Sequence, residues 1–177
     1  MRAVVVYESM YGNTRAVAEA IAEGLSPRME AEAVPVSMVR SEAVAAADLV
    51  VVGGPTHVHG MSRPSTRKSA VEAAAKPGAE VHLDEHAEGE GLREWFDRLP
   101  HQAGMAAAFD TRIDLSAAMT GRASKGIGKR LRQHGMTLLS PPESFLVDKA
   151  GHLEAQEQQR ARDWGVALAA ALMPATG

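Results

Sequence analysis

The order of apolar and polar positions predicts strands and helices that alternate along the chain. Short β-branched apolar runs predict buried strands, and apolar residues spaced three or four apart predict helices. The first strand, residues 3–7, leads through a polar turn into a helix that begins at Thr14. Further strands are predicted at residues 31–36, 49–54, 105–109 and 137–140, the last continued by 145–148, and further helices at 42–47, 64–75, 91–99, 120–135 and 153–172.

This alternation predicts an α/β fold in which helices cover both faces of a five-stranded parallel sheet. Pro35 predicts that the second strand is an edge strand, because proline cannot donate a hydrogen bond to an interior ladder. The apolar run Leu49–Gly54 predicts a central strand buried on both faces. In such sheets, ligands bind at the carboxyl ends of the strands, where the strand order reverses. A length of 177 residues suits a single domain over residues 1–177.

The turn between the first strand and the first helix, Glu8–Asn13, predicts an anion site. Backbone N–H groups at the start of a helix have no intrahelical acceptor, and together with the helix dipole they attract negative charge. Side chains of Ser9, Asn13 and Thr14 could add hydrogen bonds. Neither GxGxxG nor GxxxxGK[ST] is present, which disfavours dinucleotide and Walker-type sites. The alternative is that Ser9 and Asn13 only form the turn and cap the helix.

The segment S-M-Y-G-N-T, residues 9–14, resembles the phosphate loop of the flavodoxin family. The resemblance implies a three-layer flavodoxin-like fold with strand order 2-1-3-4-5, and FMN whose phosphate is held by this loop. Met10 and Tyr11 replace small residues of the commonest family pattern, so Ser9, Asn13 and Thr14 carry the side-chain contacts. The cofactor-binding residues implied here are Ser9, Met10, Tyr11, Gly12, Asn13 and Thr14.

The loop P-T-H-V-H-G-M, residues 55–61, follows the third strand and looks like the flavodoxin loop that holds one edge of the isoalloxazine ring. The resemblance implies that Pro55, Thr56, His57, Val58, His59 and Gly60 bind the cofactor. His57 and His59 would point to the same side of an extended segment, which raises a metal site as an alternative. No second compact group of ligands is evident, so no metal is predicted. The two histidines could instead pack at the flavin edge, face solvent or donate a proton.

A third implied contact region, Asp110, Thr111 and Arg112, follows the fourth strand, where flavodoxins close a loop over the pyrimidine side of the flavin. Arg112 is either a partner of the flavin carbonyls or a surface charge. The loop contains no tyrosine or tryptophan to cover the ring. Candidates to flank the ring are therefore Met10, Tyr11, Met61 and the histidines.

The resemblance leaves two functions open. The chain is either an electron carrier that docks to a redox partner protein, or an FMN-dependent oxidoreductase of the NAD(P)H:quinone reductase or protoporphyrinogen oxidase kind that uses a small acceptor such as a quinone. A phospho-acceptor domain would need an aspartate at the end of the third strand, where Gly53 and Gly54 stand. No catalytic residue is assigned, and the oligomeric state is left open, with a homodimer as one form.

Composition narrows these choices. The chain has no cysteine, so thiol chemistry and ordinary iron–sulfur ligation are excluded and redox chemistry needs a bound organic cofactor. A net charge of -3 gives no broad basic field, which argues against nucleic acid as a partner. No apolar run approaches the roughly 20 residues of a membrane span, and a cytoplasmic location is expected. The acidic, histidine-containing segment 80–91 predicts a solvated surface loop.

Overall fold

A computed structural model describes residues 1–173; the last four residues of the predicted domain, 174–177, lie outside the described residues. A central sheet of seven strands is covered by helices on both faces. The strands are β1 (Arg2–Tyr7), β2 (Glu30–Pro35), β3 (Leu49–His57), β4 (Gly60–Met61), β5 (Gly104–Ile113), β6 (Met136–Leu138) and β7 (Glu143–Val147). The helices are α1 (Asn13–Leu25), α2 (Ser41–Ala45), α3 (Pro64–Ala74), α4 (Leu92–Arg98), α5 (Ala117–Thr120), α6 (Ala123–Gln133) and α7 (Glu157–Leu172).

The order of the parallel strands, β2-β1-β3-β5-β6, corresponds to the expected 2-1-3-4-5, with β2 at the edge as Pro35 predicted. The predicted number of five strands is wrong. The predicted fifth strand is two strands, because β5 is long enough to pair with β6 at its start and with β7 at its end. The seventh strand is β4, which pairs antiparallel with the end of β3.

Strand alternation divides the buried side chains into two clusters, one on each face of the sheet. Val5 belongs to the cluster beneath α1 and α7, together with Ile21 and Phe109. Val4 and Val6 belong to the opposite cluster, which includes Trp95 of α4. The three-layer architecture expected from the sequence is therefore confirmed.

Several predicted boundaries and loops are wrong. Residues 55–61 are not a loop, because β3 continues to His57 and turns into β4 as a hairpin. Residues 110–113 do not follow the fourth strand but belong to it, since β5 pairs with β7 through Ile113. The last helix begins at Glu157 rather than at residue 153. The strands β3 and β5 therefore extend beyond their apolar runs and include the polar residues that follow.

The segment 80–91 is a loop that ends where α4 begins, as predicted, but it is not fully exposed to solvent. The backbone N–H of Asp84 donates to the carbonyl of Met10 at 2.8 Å. Arg15 pairs with Glu85 at 2.9 Å, and Ala87 is buried. The segment therefore packs along the first loop and supports it. Within residues 1–173, no helix has both the length and the apolar character to cross a membrane.

The helices α1 and α7 approach each other with their backbones nearly in contact. A Cβ atom added at Gly165 would lie 2.4 Å from the carbonyl oxygen of Ile21. One added at Gly24 would lie 2.1 Å from the carbonyl oxygen of Arg162. Both positions thus exclude any side chain at this crossing.

Replacing Gly165 by alanine should therefore lower the free energy of unfolding by about 1–3 kcal/mol, because the added methyl group forces the two helices apart. Urea unfolding followed by circular dichroism measures the change. Gly126→Ala in α6 is the matched control, since its new Cβ would meet its nearest neighbour at an ordinary 3.5 Å. That control should be neutral or stabilising by up to about 1 kcal/mol. Equal effects of the two substitutions would contradict the close crossing.

Candidate functional site

A cavity of about 270 Å³ opens at the carboxyl ends of the central strands. It lies between the first loop, the end of β3, the end of β5 and the loop after β7. Seven of the residues proposed from the sequence line it: Tyr11, Asn13, Pro55, Thr56, His57, Thr111 and Arg112. Three more, Val58, His59 and Gly60, line a neighbouring cavity on the other side of the hairpin. The remaining five, Ser9, Met10, Gly12, Thr14 and Asp110, line neither cavity.

Within the described residues 1–173, no side chain caps the N-terminus of α1, and its first turn contains no acidic residue. Its N-cap residue, Gly12, has a φ of 87°, which favours glycine. Ser9 forms the preceding turn, because its Oγ accepts a hydrogen bond from the N–H of Gly12 at 3.1 Å. The sequence left open that Ser9 and Asn13 only form the turn and cap the helix. In the structure Ser9 forms the turn, but Asn13 does not cap α1. The first-turn N–H groups remain available to an anion.

Asn13 joins the first loop to the loop that follows β7. Its Nδ2 donates to the carbonyl of Gly151 at 2.7 Å, and its Oδ1 accepts from the N–H of Leu153 at 3.1 Å. The second loop is itself held by Asp148, whose Oδ1 accepts from the N–H groups of Ala150 and His152. The bond from His152 is the main cause that lowers the pKa of the Asp148 carboxyl. One side of the cavity is thus fixed by two polar side chains.

Thr14 is 2% exposed, and its Oγ1 lies 2.8 Å from the Oγ1 of Thr111. One hydroxyl of such a pair donates to the other, so one hydroxyl proton is left for a further acceptor. Thr111 lines the cavity, and Thr14 stands behind it in the first turn of α1. The pair therefore links the end of β5 to the start of α1.

The hairpin between β3 and β4 turns at Val58 and His59, whose φ values of 44° and 69° are both positive. Positive φ at both central residues defines a type I′ turn, where Asn-Gly is the favoured sequence. A β-branched residue in this conformation costs on the order of 1–2 kcal/mol. Val58 is also 82% exposed, so no packing offsets this strain. The segment containing the two histidines is therefore not extended, and a turn separates them.

His57 faces the start of α3. Its Nδ1 lies 3.3 Å from the Oγ1 of Thr66. Burial, with a smaller contribution from the nearby Arg67, lowers the pKa of His57, so the neutral ring is favoured near pH 7. Within residues 1–173, no group of three or more His, Cys, Asp or Glu side chains is placed to hold a metal ion.

Thr56 and Asp110 cap the N-terminus of α6. The Oγ1 of Thr56 accepts from the N–H of Ala123 at 2.9 Å, and the Oδ2 of Asp110 accepts from the N–H of Ser124 at 2.7 Å. Asp110 is fully buried, because it lies on the face of β5 that packs against α6 while its neighbour Thr111 lies on the opposite face. The structure thus brings Thr111 to the cavity and Asp110 to a helix end.

Sequence analysis missed the contribution of the loop after β7 and of the last residue of β5. Apart from Asp148, already described, the additional lining residues are Ile113, Val147, Lys149 and Gly151. The carboxyl ends of all parallel strands lie at the same edge of the sheet, so the segment after the last predicted strand was also a candidate for the site. Tyr11 is the aromatic residue on the cavity wall, and its hydroxyl donates to the carbonyl of Ala70 at 3.0 Å. Met10 and Met61, also considered as ring partners, are buried.

Similar folds occur among solved structures. A flavodoxin from the domain Archaea is 21% identical with a TM-score of 0.70, covering 97% of this chain and 99% of that one. The flavodoxin of Streptococcus pneumonia TIGR4 is 16% identical with a TM-score of 0.65, covering 96% and 99%. A flavodoxin, WrbA-like protein from Agrobacterium tumefaciens is 22% identical with a TM-score of 0.57, covering 97% and 96%. At these identities the likeness shows a shared fold.

A comparison with curated protein sequences finds no match. The sequence model of a family described as flavodoxin matches residues 5–94, just over half of the chain. The matched region contains the second half of β1, the first loop, α1 and the whole β3–β4 hairpin. It therefore includes both segments whose residues first suggested the resemblance. Fold and sequence agree that this chain belongs to the flavodoxin family, the redox proteins whose cofactor is FMN.

Proposed function

We propose that the chain forms one FMN-binding domain that carries electrons to a redox partner protein. The observation that carries this proposal is the uncapped N-terminus of α1, which stands beside a cavity at the carboxyl edge of the sheet. When bound, FMN supplies reversible redox chemistry, and the protein supplies binding, orientation and electrostatics.

The first loop would hold the phosphate. The free N–H groups at the start of α1 and the αL backbone of Gly12 suit an anion. The hydroxyl pair of Thr14 and Thr111 has one proton left to donate towards that anion. Thr14 thus remains a proposed phosphate contact, and Thr111 could also serve because it lines the cavity.

The cavity would hold the ring. Tyr11 is fixed through its hydroxyl, and His57 is held near Thr66, so both can flank a planar ligand without reordering. A volume of about 270 Å³ lies below the range of about 300–1,000 Å³ for sites that enclose small molecules. Part of a bound flavin would therefore stay exposed. An exposed ring edge suits electron exchange with a second protein.

Two cationic side chains on the cavity wall would offset the charge of the phosphate. Lys149 is exposed, and Arg112 is held by a hydrogen bond from Nη1 to the carbonyl of Leu115 at 2.6 Å. Asp148 is the acidic residue on the wall, and its carboxylate is occupied by backbone N–H groups. The balance on this wall favours an anionic ligand.

Thr14→Val should weaken FMN binding by about tenfold, because it removes a hydrogen bond to a charged group while keeping the side-chain shape. Riboflavin lacks the phosphate, so its affinity should change little. Fluorescence quenching of each flavin by the protein gives both dissociation constants. Thr137→Val on the exposed face of β6 is the matched control and should leave both constants unchanged. Equal losses for FMN and riboflavin would remove Thr14 from the phosphate site.

The FMN-loaded protein should show little NAD(P)H-dependent reduction of a quinone by itself, because a carrier needs a donor enzyme. Anaerobic reduction by a flavodoxin reductase, followed by absorbance, should in contrast be rapid. FMN-free protein is the control for both assays. Sustained quinone turnover by the FMN-loaded protein alone would replace the carrier function with the FMN-dependent oxidoreductase.

A further inference from the structure

A second cavity, of about 400 Å³, lies on the outer side of the β3–β4 hairpin. Its wall is formed by the hairpin, the first turn of α3 and one side chain of α4. The basic and titratable residues that line it are His57, His59, Arg63 and Arg93, and among residues 1–173 no acidic side chain lines it. We call it the basic cavity. His57 lines this cavity and the proposed ring site alike.

Arg93 is fixed in place by carbonyl groups rather than by an acid. Its Nε donates to the carbonyl of Ser62 at 2.8 Å, and its Nη2 to that of Met61 at 3.2 Å. Arg63 is exposed immediately before α3. Among residues 1–173, no carboxylate forms an ion pair with either arginine. The positive charge of this wall is therefore not neutralised by the part of the chain that the structure describes.

This arrangement differs from that of other arginines in the chain. Arg15, Arg98, Arg160 and Arg162 all contact carboxylates. Even Arg67, next to the basic cavity, pairs with Glu94 at 3.0 Å. The chain as a whole carries a net charge of -3, so Arg63 and Arg93 place two positive charges on one wall of an otherwise acidic protein. Guanidinium groups with free donors are suited to bind phosphate and carboxylate groups.

We propose that the basic cavity binds a small organic anion that carries phosphate or carboxylate groups, contacted by Arg63 and Arg93. Its volume lies within the range of about 300–1,000 Å³ for small-molecule sites. The shared residue His57 places this anion next to the FMN site without overlapping the phosphate loop. The proposal concerns a second ligand and does not depend on electron transfer.

The test uses the FMN-loaded protein, in which the phosphate loop is occupied, and two probes, inorganic pyrophosphate and citrate. Calorimetric titration should give a dissociation constant below about 1 mM for at least one probe. Arg63→Gln should weaken that binding by about threefold, and the Arg63→Gln/Arg93→Gln variant by about tenfold or more. Arg28→Gln, an exposed arginine in the turn before β2, is the matched control and should bind as the wild type does.

The two probes distinguish the sources of the charge. Binding of pyrophosphate alone indicates a phosphorylated ligand, and binding of citrate alone indicates a polycarboxylate. Dissociation constants above about 10 mM for both probes would overturn the proposal, as would an unchanged affinity in Arg63→Gln. The single variant keeps this test valid if loss of Arg93 disturbs the hairpin. FMN absorbance is followed throughout, so a failure of FMN binding is seen separately from a failure of the basic cavity.

The pKa of His57 provides an independent readout. The groups that face the ring are Thr66 and Arg67 from α3, with Arg63, Arg93 and His59 around the cavity. An anion bound among these cations should raise the pKa of His57, because the protonated ring gains an opposite charge. By linkage, the anion should bind more tightly as the pH falls through that pKa.

Nuclear magnetic resonance titration of the His57 ring, with and without sulfate, measures this shift. Sulfate is the probe because its charge is constant between about pH 5 and pH 8, where histidine titrates. The ring resonances of His152, which lies in the loop after β7, are the internal control, and sulfate should change them little. Equal effects of sulfate on the resonances of His57 and His152 would indicate general screening and would overturn the proposal.

Discussion

Parallel pairing of β3 with β5 is the constraint on which the rest of the site depends. At its centre, Gly53 lies opposite Phe109, and a Cβ on that glycine would meet the phenyl ring at 2.1 Å. The ring in turn packs edge-on against Phe145 and Trp164, which join β7 and α7 to the sheet. Since this packing fixes the register, the pairing continues to Pro55 and Thr111. Both walls of the proposed FMN cavity are set by one strand register.

At this edge of the sheet, the fold treats the N-termini of α1 and α6 differently. At α6, the N–H groups are satisfied by Thr56 and Asp110 from the ends of β3 and β5. At α1, no side chain caps the first turn. Unsatisfied N–H groups are tolerated where water or a ligand can reach them. The difference explains why the N-terminus of α6 is bound to the strand ends, whereas that of α1 is suited to bind a phosphate.

A buried carboxylate holds the first loop and the hairpin in position. The Oε2 of Glu8 accepts from the N–H of Leu92 at 2.8 Å, and its Oε1 accepts from the hydroxyl of Ser62. Ser62 also accepts from Arg67, which pairs with Glu94. Because Glu8 precedes the proposed phosphate loop and Ser62 follows the hairpin, this network joins the proposed FMN site to the wall of the basic cavity.

The sequence by itself determined the alternation of strands and helices, the edge position of β2 and the edge of the sheet at which the site lies, because these follow from local periodicity, proline chemistry and the direction of parallel strands. Tertiary structure decided where strands end and which residues distant in sequence come into contact. Polar residues such as Thr56 and Asp110 extend their strands because neighbouring strands continue to pair with them, β4 with Thr56 and both β3 and β7 with Asp110. Asn13 clamps a loop 138 residues away. Two unpaired arginines meet at one cavity, since only packing brings α3 and α4 to the hairpin.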